Sequence, residues 1–429
     1  MSAAVLLISF FALLFLGCPI AIALGMSGAL TLVTVLNVPL SIVSSSFFSS
    51  AFSFSLMAIP LFIFAGAIME KGGISKRLIR LCELILGDIT GGLGAVMVIT
   101  CMFFAAICGS GPATVAALGG VLIPKMVKEG YDKSYCGGAI AASGAIGVVI
   151  PPSIILIVYG IVAGPSIGAL FTASIIPGIL MGLAFLVVNY FISKKNHYLG
   201  ETKRGSAKEI WNAFKDAFWG LMSPVIIFGG IYSGIFTATE SAGIACVWGI
   251  ITGVFIYREI DIKGLINCLY ESAISSATIM LIVGCSSVFS WVLSTERIAS
   301  GIANAILAFS SNKIVILLCI NAILLLAGCF MVSVEAIYIL CPIIIPLANA
   351  LNIDLIQMGI IMNVNLAIGL FTPPVGVNIY VAGGISDSLV KDVAKHCVPF
   401  IIAAVIVLML VTYIPALSMW LPAKLGMLF

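Results

Sequence analysis

The sequence predicts an all-α polytopic membrane protein with about 11 transmembrane helices and two re-entrant helical hairpins in an inverted repeat. Apolar residues make up 62% of the 429 residues and charged residues only 9%, whereas soluble globular proteins carry about 25% charged residues. Part of the first half also recurs in the second at a fixed offset of 222 residues. This offset relates the prolines of one half to those of the other: Pro124, Pro151, Pro152 and Pro177 to Pro346, Pro373, Pro374 and Pro399.

Long stretches without charge supply the predicted spans. No Asp, Glu, Lys or Arg stands before Glu70, between Lys133 and Lys194, or between Asp354 and Asp387. A transmembrane helix needs about 20 residues, so the first two stretches, of 60 residues or more each, can hold two or three spans. The apolar content changes over long stretches rather than with the short alternation of a β-barrel, so the spans are predicted to be helical.

The N-terminal segment is predicted to be membrane helix as well. It stays apolar through Val35 and has no basic residue at its start, which is unlike a cleaved signal peptide. The predicted organisation then follows the chain in five parts. These are N-terminal scaffold helices at 1–58, a first inverted repeat at 59–192, a cytoplasmic amphipathic loop at 193–217, further scaffold helices at 218–280 and a second inverted repeat at 281–429.

The distribution of basic residues predicts that the repeat is inverted. Lys and Arg collect in cytoplasmic loops. Loop 125–133 has three lysines, whereas its counterpart 347–355 has no basic residue. Downstream the bias reverses, because 164–170 is uncharged while 386–396 holds two lysines and a histidine. Corresponding loops therefore prefer opposite sides of the membrane, and 193–217, with six basic residues, is predicted to be cytoplasmic.

Two segments are too long for one span and contain a break of small residues. They are 91–126, with a break at 108–114, and 313–350, with a break at 328–333. We interpret both as re-entrant hairpins with tips near mid-membrane, where non-helical backbone survives only in protein or beside a wet cavity. The alternative is a single helix kinked at glycine.

Each hairpin is followed by a predicted broken helix, at 147–153 in the first repeat and 369–375 in the second. Two consecutive prolines end a helix and free the carbonyl groups upstream. Such carbonyls, with Ser or Thr hydroxyls, suit a small cation such as Na⁺, and helix N-termini at the same break favour a carboxylate. The alternative is that the breaks only kink helices for packing.

Several motifs identify a resemblance that covers essentially the whole chain. The chain resembles the large membrane subunit of tripartite ATP-independent periplasmic (TRAP) transporters. The motifs that carry this resemblance are Ile59-Pro60-Leu61-Phe62, Gly109-Ser110-Gly111-Pro112-Ala113-Thr114, Ile123-Pro124, Gly130-Tyr131-Asp132, Ile150-Pro151-Pro152-Ser153 and Thr372-Pro373-Pro374-Val375-Gly376-Val377-Asn378.

The resemblance implies a sodium-driven importer of organic acids in the bacterial inner membrane, in which the transport unit moves as an elevator against a scaffold. It implies two protein partners, a small four-helix membrane (Q) subunit and a soluble periplasmic substrate-binding (P) protein. Sialic acid and a C4-dicarboxylate both remain open as the substrate. Na⁺ is the implied coupling ion, and no organic cofactor is expected.

The resemblance also implies site residues by position. The first sodium ion would lie among Gly109, Ser110, Gly147 and Ile150, and a second among Gly328, Gly369 and Thr372. The residues that would face substrate are Thr114, Ser153, Asn365 and Asn378.

Three acidic residues beside or within apolar segments are further candidates. Glu240, Glu271 and Glu335 each suit a proton relay or a substrate contact, or alternatively lie at an interface, paired or wet. No intramembrane Lys or Arg stands out as a counter-charge, so anion binding would depend on helix ends, hydroxyls, amides and bound Na⁺.

Other function classes are less consistent with the sequence. With only two histidines and no C-x-x-C pair among the 12 cysteines, a transition-metal site is not expected. Gly164–Gly168 matches G-x-S-x-G, but no strand-turn-helix context surrounds it. We therefore predict a transporter and not an enzyme, with no nucleic-acid partner. The alternative function is an anion channel with a hairpin-lined pore.

Overall fold

The computed structural model describes residues 2–198, 200, 204–309 and 312–428. All regular secondary structure in these residues is helical, which confirms the predicted all-α class. The α-helices, numbered in chain order, are α1 Ser2–Phe15, α2 Ile20–Thr34, α3 Ser41–Ala51, α4 Ala58–Lys71, α5 Ile74–Leu86, α6 Gly92–Cys108, α7 Gly111–Lys128, α8 Lys133–Ala145, α9 Ile154–Ala163, α10 Ile167–Lys195, α11 Ala207–Tyr232, α12 Ala238–Ile250, α13 Ile262–Thr295, α14 Ile298–Phe309, α15 Lys313–Phe330, α16 Ser333–Ala350, α17 Leu355–Gly369, α18 Val377–Ser386, α19 Val390–Tyr413 and α20 Ala416–Lys424.

Within the described ranges, eight helices are long and apolar enough to cross a membrane. They are α4 with the 3₁₀ turn before it, α10, α11, α12 with the π-helical turn after it, α13, α15, α16 and α19. Shorter apolar helices of 10–17 residues accompany them. The chain is therefore a multi-pass membrane protein. The other predicted spans fall on shorter helices such as α17 and α18, which are separated by a proline-containing break.

The two halves of the chain repeat the same order of helices. Helices α6–α10 recur as α15–α19, and α7 and α16 are both 18 residues long at the offset of 222. The halves also interlock. Helix α7 of the first half packs against α18 of the second, and α9 of the first packs against α16 of the second. Each hairpin therefore contacts the broken helix of the other repeat.

Contacts at the helix ends show that equivalent helices run in opposite directions. At the start of α8, Lys133 Nζ lies 4.0 Å from Asp387 Oδ2, just after α18. In the second half of α9, the Tyr159 hydroxyl donates to the carbonyl oxygen of Leu355, 2.7 Å away. Because α8 and α9 follow one another across the break, α17 starts at the end of the molecule opposite the start of α8. This is the arrangement that the predicted inverted repeat requires.

The polar connection between the halves is shorter than the predicted amphipathic loop at 193–217. Helix α10 continues to Lys195, and α11 already begins at Ala207. The early start has a local cause: the Ser206 side chain accepts from the Glu209 N–H, and the Glu209 carboxylate accepts from the Ser206 N–H. This capping box satisfies N–H groups of the first turn. The amphipathic part of the predicted loop is therefore the first portion of α11.

Helix α13 contacts helices from several parts of the chain. It packs against α2, α3 and α4, and its other side contacts α16 of the second hairpin. A separate apolar cluster that includes Leu6, Leu24 and Phe289 joins α1, α2 and α13. Helices α2, α3 and α4 thus pack against one long helix that also contacts the second hairpin.

Two buried hydrogen bonds connect α8 and α10 to the residue that precedes α6, where the first hairpin starts. The Tyr135 hydroxyl donates to Asn189 Oδ1 at 2.8 Å, and Asn189 Nδ2 donates to the Gly91 carbonyl at 3.0 Å. We expect Tyr135→Phe to lower the free energy of unfolding by about 0.6–1.7 kcal/mol, the range for hydrogen bonds between membrane helices. Chemical unfolding in detergent micelles measures this change. Tyr190→Phe is the matched control, because Tyr190 is 47% exposed; an equal effect of both substitutions would contradict the expectation.

Candidate functional site

The tip of the first hairpin lies against the broken helix of its own repeat. Helix α6 ends at Cys108, Gly109 has a φ of +66°, and the extended Ser110 precedes α7. Only glycine adopts this left-handed backbone without cost. A Cβ at Gly109 would also collide with the Pro152 carbonyl oxygen. Glycine is therefore needed both for the turn and for the close approach to the break.

Three of the predicted sodium ligands and one predicted substrate contact come together here. The Thr114 hydroxyl donates to the Ser110 carbonyl at 2.8 Å. A Cβ at Gly147 would lie 2.7 Å from Thr114 Oγ1 and 3.1 Å from the Ser110 carbonyl oxygen. The structure thus brings Gly109, Ser110, Thr114 and Gly147 together, with carbonyl and hydroxyl oxygens directed at a glycine backbone. These are the hard oxygen groups that suit Na⁺.

Ile150 and Ser153 have structural partners at the same break. The Ile150 side chain packs on Gly178 of α10, where a Cβ would collide with it. The Ser153 hydroxyl donates to the Val148 carbonyl at 2.6 Å and accepts from the Leu156 N–H at 3.4 Å. The single hydroxyl proton of Ser153 is therefore already used, and the side chain caps α9.

The second hairpin is packed on its own broken helix even more closely. A Cβ at Gly369 would overlap the backbone carbonyl of Gly328. The Val375 N–H donates to the Cys329 carbonyl at 3.2 Å, and the Thr372 hydroxyl donates to the Ile368 carbonyl at 2.6 Å. The structure therefore brings together the three residues predicted for the second sodium ion.

The two breaks differ in exposure. Residues 151–153 of the first break are buried, whereas residues 373–375 of the second are exposed. The segment of the first break is thus covered by protein, whereas the equivalent segment of the second repeat lies at the surface of the chain.

Asn365 and Asn378 are fully buried and each has an unused acceptor. Asn365 Nδ2 donates to Asn321 Oδ1 and to the Ile361 carbonyl, both at 2.7 Å. Asn378 Nδ2 donates to the Ala141 carbonyl at 2.9 Å, which ties α18 to α8. Among the described residues, neither Oδ1 atom has a hydrogen-bond partner. A buried acceptor without a donor is costly, and a cation or a ligand donor would satisfy it.

A cavity of about 220 Å³ lies between the first hairpin tip and helices α4 and α13. Of the predicted sodium and substrate residues, only Ser110 lines it. The described residues that line it are Ile63, Ala67, Glu70, Cys108, Ser110, Ala113, Ile154, Glu271, Ser272, Ser275 and Ile279. None of them is basic. Glu70, Ser272 and Ser275 were not predicted from the sequence as site residues. The feature that could have indicated them is the group of small hydroxyl residues next to Glu271 in an apolar segment.

The three candidate acids have different surroundings. Glu240 accepts from the Thr237 N–H at 2.8 Å and belongs to a capping box at the start of α12. Glu271 pairs with Lys71 at 2.7 Å, with 59% of its side chain exposed. Glu335, at the start of α16, is 4% exposed, and its Oε2 has no hydrogen-bond partner in the described part of the chain. Glu335 is therefore the buried acid, and Glu240 has a helix-capping role.

Comparison with known proteins gives a family match over most of the chain. The family model described as "Tripartite ATP-independent periplasmic transporter, DctM component" matches residues 7–417. The isethionate TRAP transporter permease protein DctMQ of Oleidesulfovibrio alaskensis is 44% identical over 96% of this chain and 65% of its own length, so the chain spans about two-thirds of that relative. The C4-dicarboxylate TRAP transporter large permease protein DctM of Pseudomonas aeruginosa is 39% identical over 94% of this chain and 95% of its own.

A solved structure shares the fold. The YdaH transporter of Alcanivorax borkumensis, described as having an unusual topology, matches with a TM-score of 0.63 and 15% identity. The match covers 90% of this chain and 88% of that one. At this identity the likeness concerns the fold alone. The family model and the relatives confirm the prediction of a transporter rather than an enzyme, and this chain belongs to the DctM family of tripartite ATP-independent periplasmic transporter permeases.

Proposed function

We propose that this chain imports an organic acid across the bacterial inner membrane together with Na⁺. It works with a small four-helix membrane subunit, and a periplasmic binding protein delivers the substrate. The observation that carries the proposal is the pair of matched units in which a hairpin tip lies in backbone contact with a helix break. Family membership supports the class of function, since the family is named for its tripartite transporters.

The proposed sodium sites are the two contacts between tip and break. The first uses Gly109, Ser110, Gly147 and Ile150, and the second uses Gly328, Gly369 and Thr372. Both sites offer mainly oxygen atoms as ligands. Asn378 Oδ1, which has no hydrogen-bond partner in the described residues, is a further oxygen next to the first tip, because a Cβ built at Gly111 would lie 3.4 Å from this atom. A cation would offset the cost of these buried acceptors.

The proposed substrate is a small organic anion held without a basic side chain. No basic residue lines the described cavity at the first tip, so the N-terminus of α7 and the bound Na⁺ would supply the positive potential. The names of the relatives include isethionate, C4-dicarboxylate and sialic acid transporters, so all three acids are candidate substrates. Thr114, Ser153, Asn365 and Asn378 are the proposed contacts, and because all four are buried, the hairpins must move to expose them.

The proposed movement is an elevator. Helices α6–α10 and α15–α19 would carry substrate and ions, while α1–α3 and α11–α13 form the scaffold. The cavity at the first hairpin tip lies on the boundary between these groups, where a sliding unit would release its cargo. The basic loops lie at one end of the molecule, where Lys125 Nζ is 2.6 Å from Glu83 Oε2. We propose that this end is cytoplasmic.

Uptake into proteoliposomes tests the function directly. The chain is reconstituted with its small subunit, and radiolabelled succinate, isethionate or sialic acid is offered with the corresponding binding protein. Accumulation that needs both an inward Na⁺ gradient and the binding protein is expected for one of the three acids. Downhill flux that is indifferent to both would contradict the proposal and favour the anion channel.

Removing one hydroxyl from each proposed sodium site should weaken the sodium dependence of uptake. We expect Ser110→Ala and Thr372→Ala each to raise the Na⁺ concentration for half-maximal uptake by at least about tenfold, since a bond to a charged group contributes about 1.5–3 kcal/mol. Thr278→Ala is the matched control: the exposed Thr278 hydroxyl also donates to the carbonyl four residues earlier, at 3.0 Å. Unchanged sodium dependence in both site variants would reject the assignment of these two hydroxyls.

A further inference from the structure

A second cavity, of about 480 Å³, lies away from the hairpins, between α5, α11 and the turn that follows α12. We call it the basic cavity. Four basic and two acidic residues line it, together with aromatic and apolar groups: Lys76, Arg77, Arg80, Ala213, Lys215, Asp216, Trp219, Ile256, Tyr257 and Glu259. Its charge is therefore opposite to that of the cavity at the first hairpin tip.

One part of the basic cavity is neutral overall, because its charged groups are paired with each other. Arg77 Nη1 lies 2.6 Å from Glu259 Oε1 and 3.0 Å from the Gly73 carbonyl oxygen. Its guanidinium also stacks 3.8 Å from the centroid of the Tyr257 ring. The Tyr257 hydroxyl in turn donates to the Asp216 carbonyl at 2.7 Å. Arg77 and Glu259 thus balance each other and fasten α5 to the turn after α12.

The walls carry positive charge that this neutral part does not balance. Arg80 and Lys215 make no ion pair within 4.0 Å in the described part of the chain, and Lys76 is 3.8 Å from the already paired Glu259. Two nearby carboxylates oppose this charge in part. Asp216 lines the cavity, and Glu209, which lies near Arg80, is held by the Ser206 N–H and hydroxyl at 2.7 Å each. A net positive cavity with several N–H donors remains, which is the chemistry that binds a phosphate.

The position of the basic cavity points to a phosphate carried by a lipid. Three candidate spans have one end at the level of the cavity. These are the C-terminal ends of 54–71 and 238–256 and the N-terminal end of 207–232. The spans reach the membrane surface there, and aromatic residues mark such surfaces. Next to the cavity, α11 exposes Trp211 and Phe218, 57% and 39% accessible, and Lys215 lies over the Trp211 ring at 5.5 Å. A soluble anion needs no such apolar flank, whereas acyl chains do.

We propose that the basic cavity binds the phosphodiester of an anionic phospholipid. Arg80 and Lys215 contact the phosphate, Lys76 extends the positive rim, and the exposed aromatic residues of α11 pack against the acyl chains. Basic pockets between membrane helices bind acidic headgroups in this way. The bound lipid bridges α11 of the scaffold and α5, which leads into the first hairpin.

Binding of an acyl-labelled fluorescent phosphatidylglycerol to the purified full-length chain in detergent, followed by anisotropy, tests the proposal. We expect Arg80→Gln/Lys215→Gln to weaken binding by about tenfold or more. Arg258→Gln/Lys263→Gln is the matched control, because it removes the same two charges at the same end of the molecule outside the cavity, and it should keep the affinity within about twofold. The conservative Arg80→Lys/Lys215→Arg variant should keep most of the affinity.

Competition separates the sources of phosphate. Unlabelled phosphatidylglycerol should displace the probe, while phosphatidylcholine and inorganic phosphate should do so only at much higher concentrations. Displacement by inorganic phosphate as readily as by lipid would overturn the lipid assignment in favour of a soluble anion. Equal affinity of the wild type and Arg80→Gln/Lys215→Gln, or equal competition by phosphatidylcholine, would overturn the site itself. If the double variant does not elute as folded protein, the single Lys215→Gln at an exposed position decides the same question.

Discussion

Replacing Gly369 with alanine is expected to lower sodium-driven uptake by at least about tenfold. The new Cβ would overlap the carbonyl group of Gly328, and the Gly328 Cα would lie only 2.6 Å away. Because these atoms are backbone, no side chain can rotate to make room, so the second hairpin and α17 must separate. Overpacking of this kind costs about 1–3 kcal/mol, and it falls on the contact proposed to hold a sodium ion.

Gly384→Ala is the control for this substitution. Gly384 lies in α18 of the same repeat, and a Cβ there would meet nothing within 4 Å. Uptake should therefore stay close to wild type. If Gly369→Ala transports as well as Gly384→Ala at the same Na⁺ concentration, the close contact between hairpin and break is not required for transport.

Replacing Asn365 with leucine is expected to have the second large effect, a loss of about 1–3 kcal/mol in the free energy of unfolding. Asn365 stands in a buried chain of amides in which Asn321 Nδ2 donates to Thr412 Oγ1 at 3.1 Å. Leucine would leave Asn321 Oδ1 without its donor, and an unsatisfied buried acceptor carries that cost. Uptake should fall as well, because Asn365 Oδ1 is a proposed contact for substrate.

Asn363→Leu separates this effect from the general cost of changing a buried amide. Asn363 lies on the same helix and is 1% exposed, yet neither its Oδ1 nor its Nδ2 has a partner among the described residues. Its replacement by leucine leaves no other polar group without a hydrogen-bond partner, so the free energy of unfolding should be unchanged or higher. Chemical unfolding of both variants in the same detergent measures the difference. Equal destabilisation would show that the amide chain through Asn365 adds nothing specific.

The sequence by itself determined the class of the protein, the repeat and the positions of the breaks. These features depend on local physics: few charges over long stretches require a membrane, and two consecutive prolines end a helix whatever surrounds them. The direction of the second repeat was also readable, because the bias of basic residues depends only on loop composition. The amphipathic character of 193–217 was readable as well, and the start of α11 at Ala207 follows from the local capping residues Ser206 and Glu209.

The tertiary structure alone decided which side chains meet. Ser110 at the first tip shares a cavity with Glu70, Ser272 and Ser275, and Asn365 pairs with Asn321 on a helix that belongs to the hairpin. Their separation along the chain leaves no periodic signal, since contact between distant helices depends on how the repeats interlock. The same holds for the basic cavity, where α5 and α11 meet across more than a hundred residues of sequence. Composition and helix breaks are properties of a segment, whereas a site is a property of segments packed together.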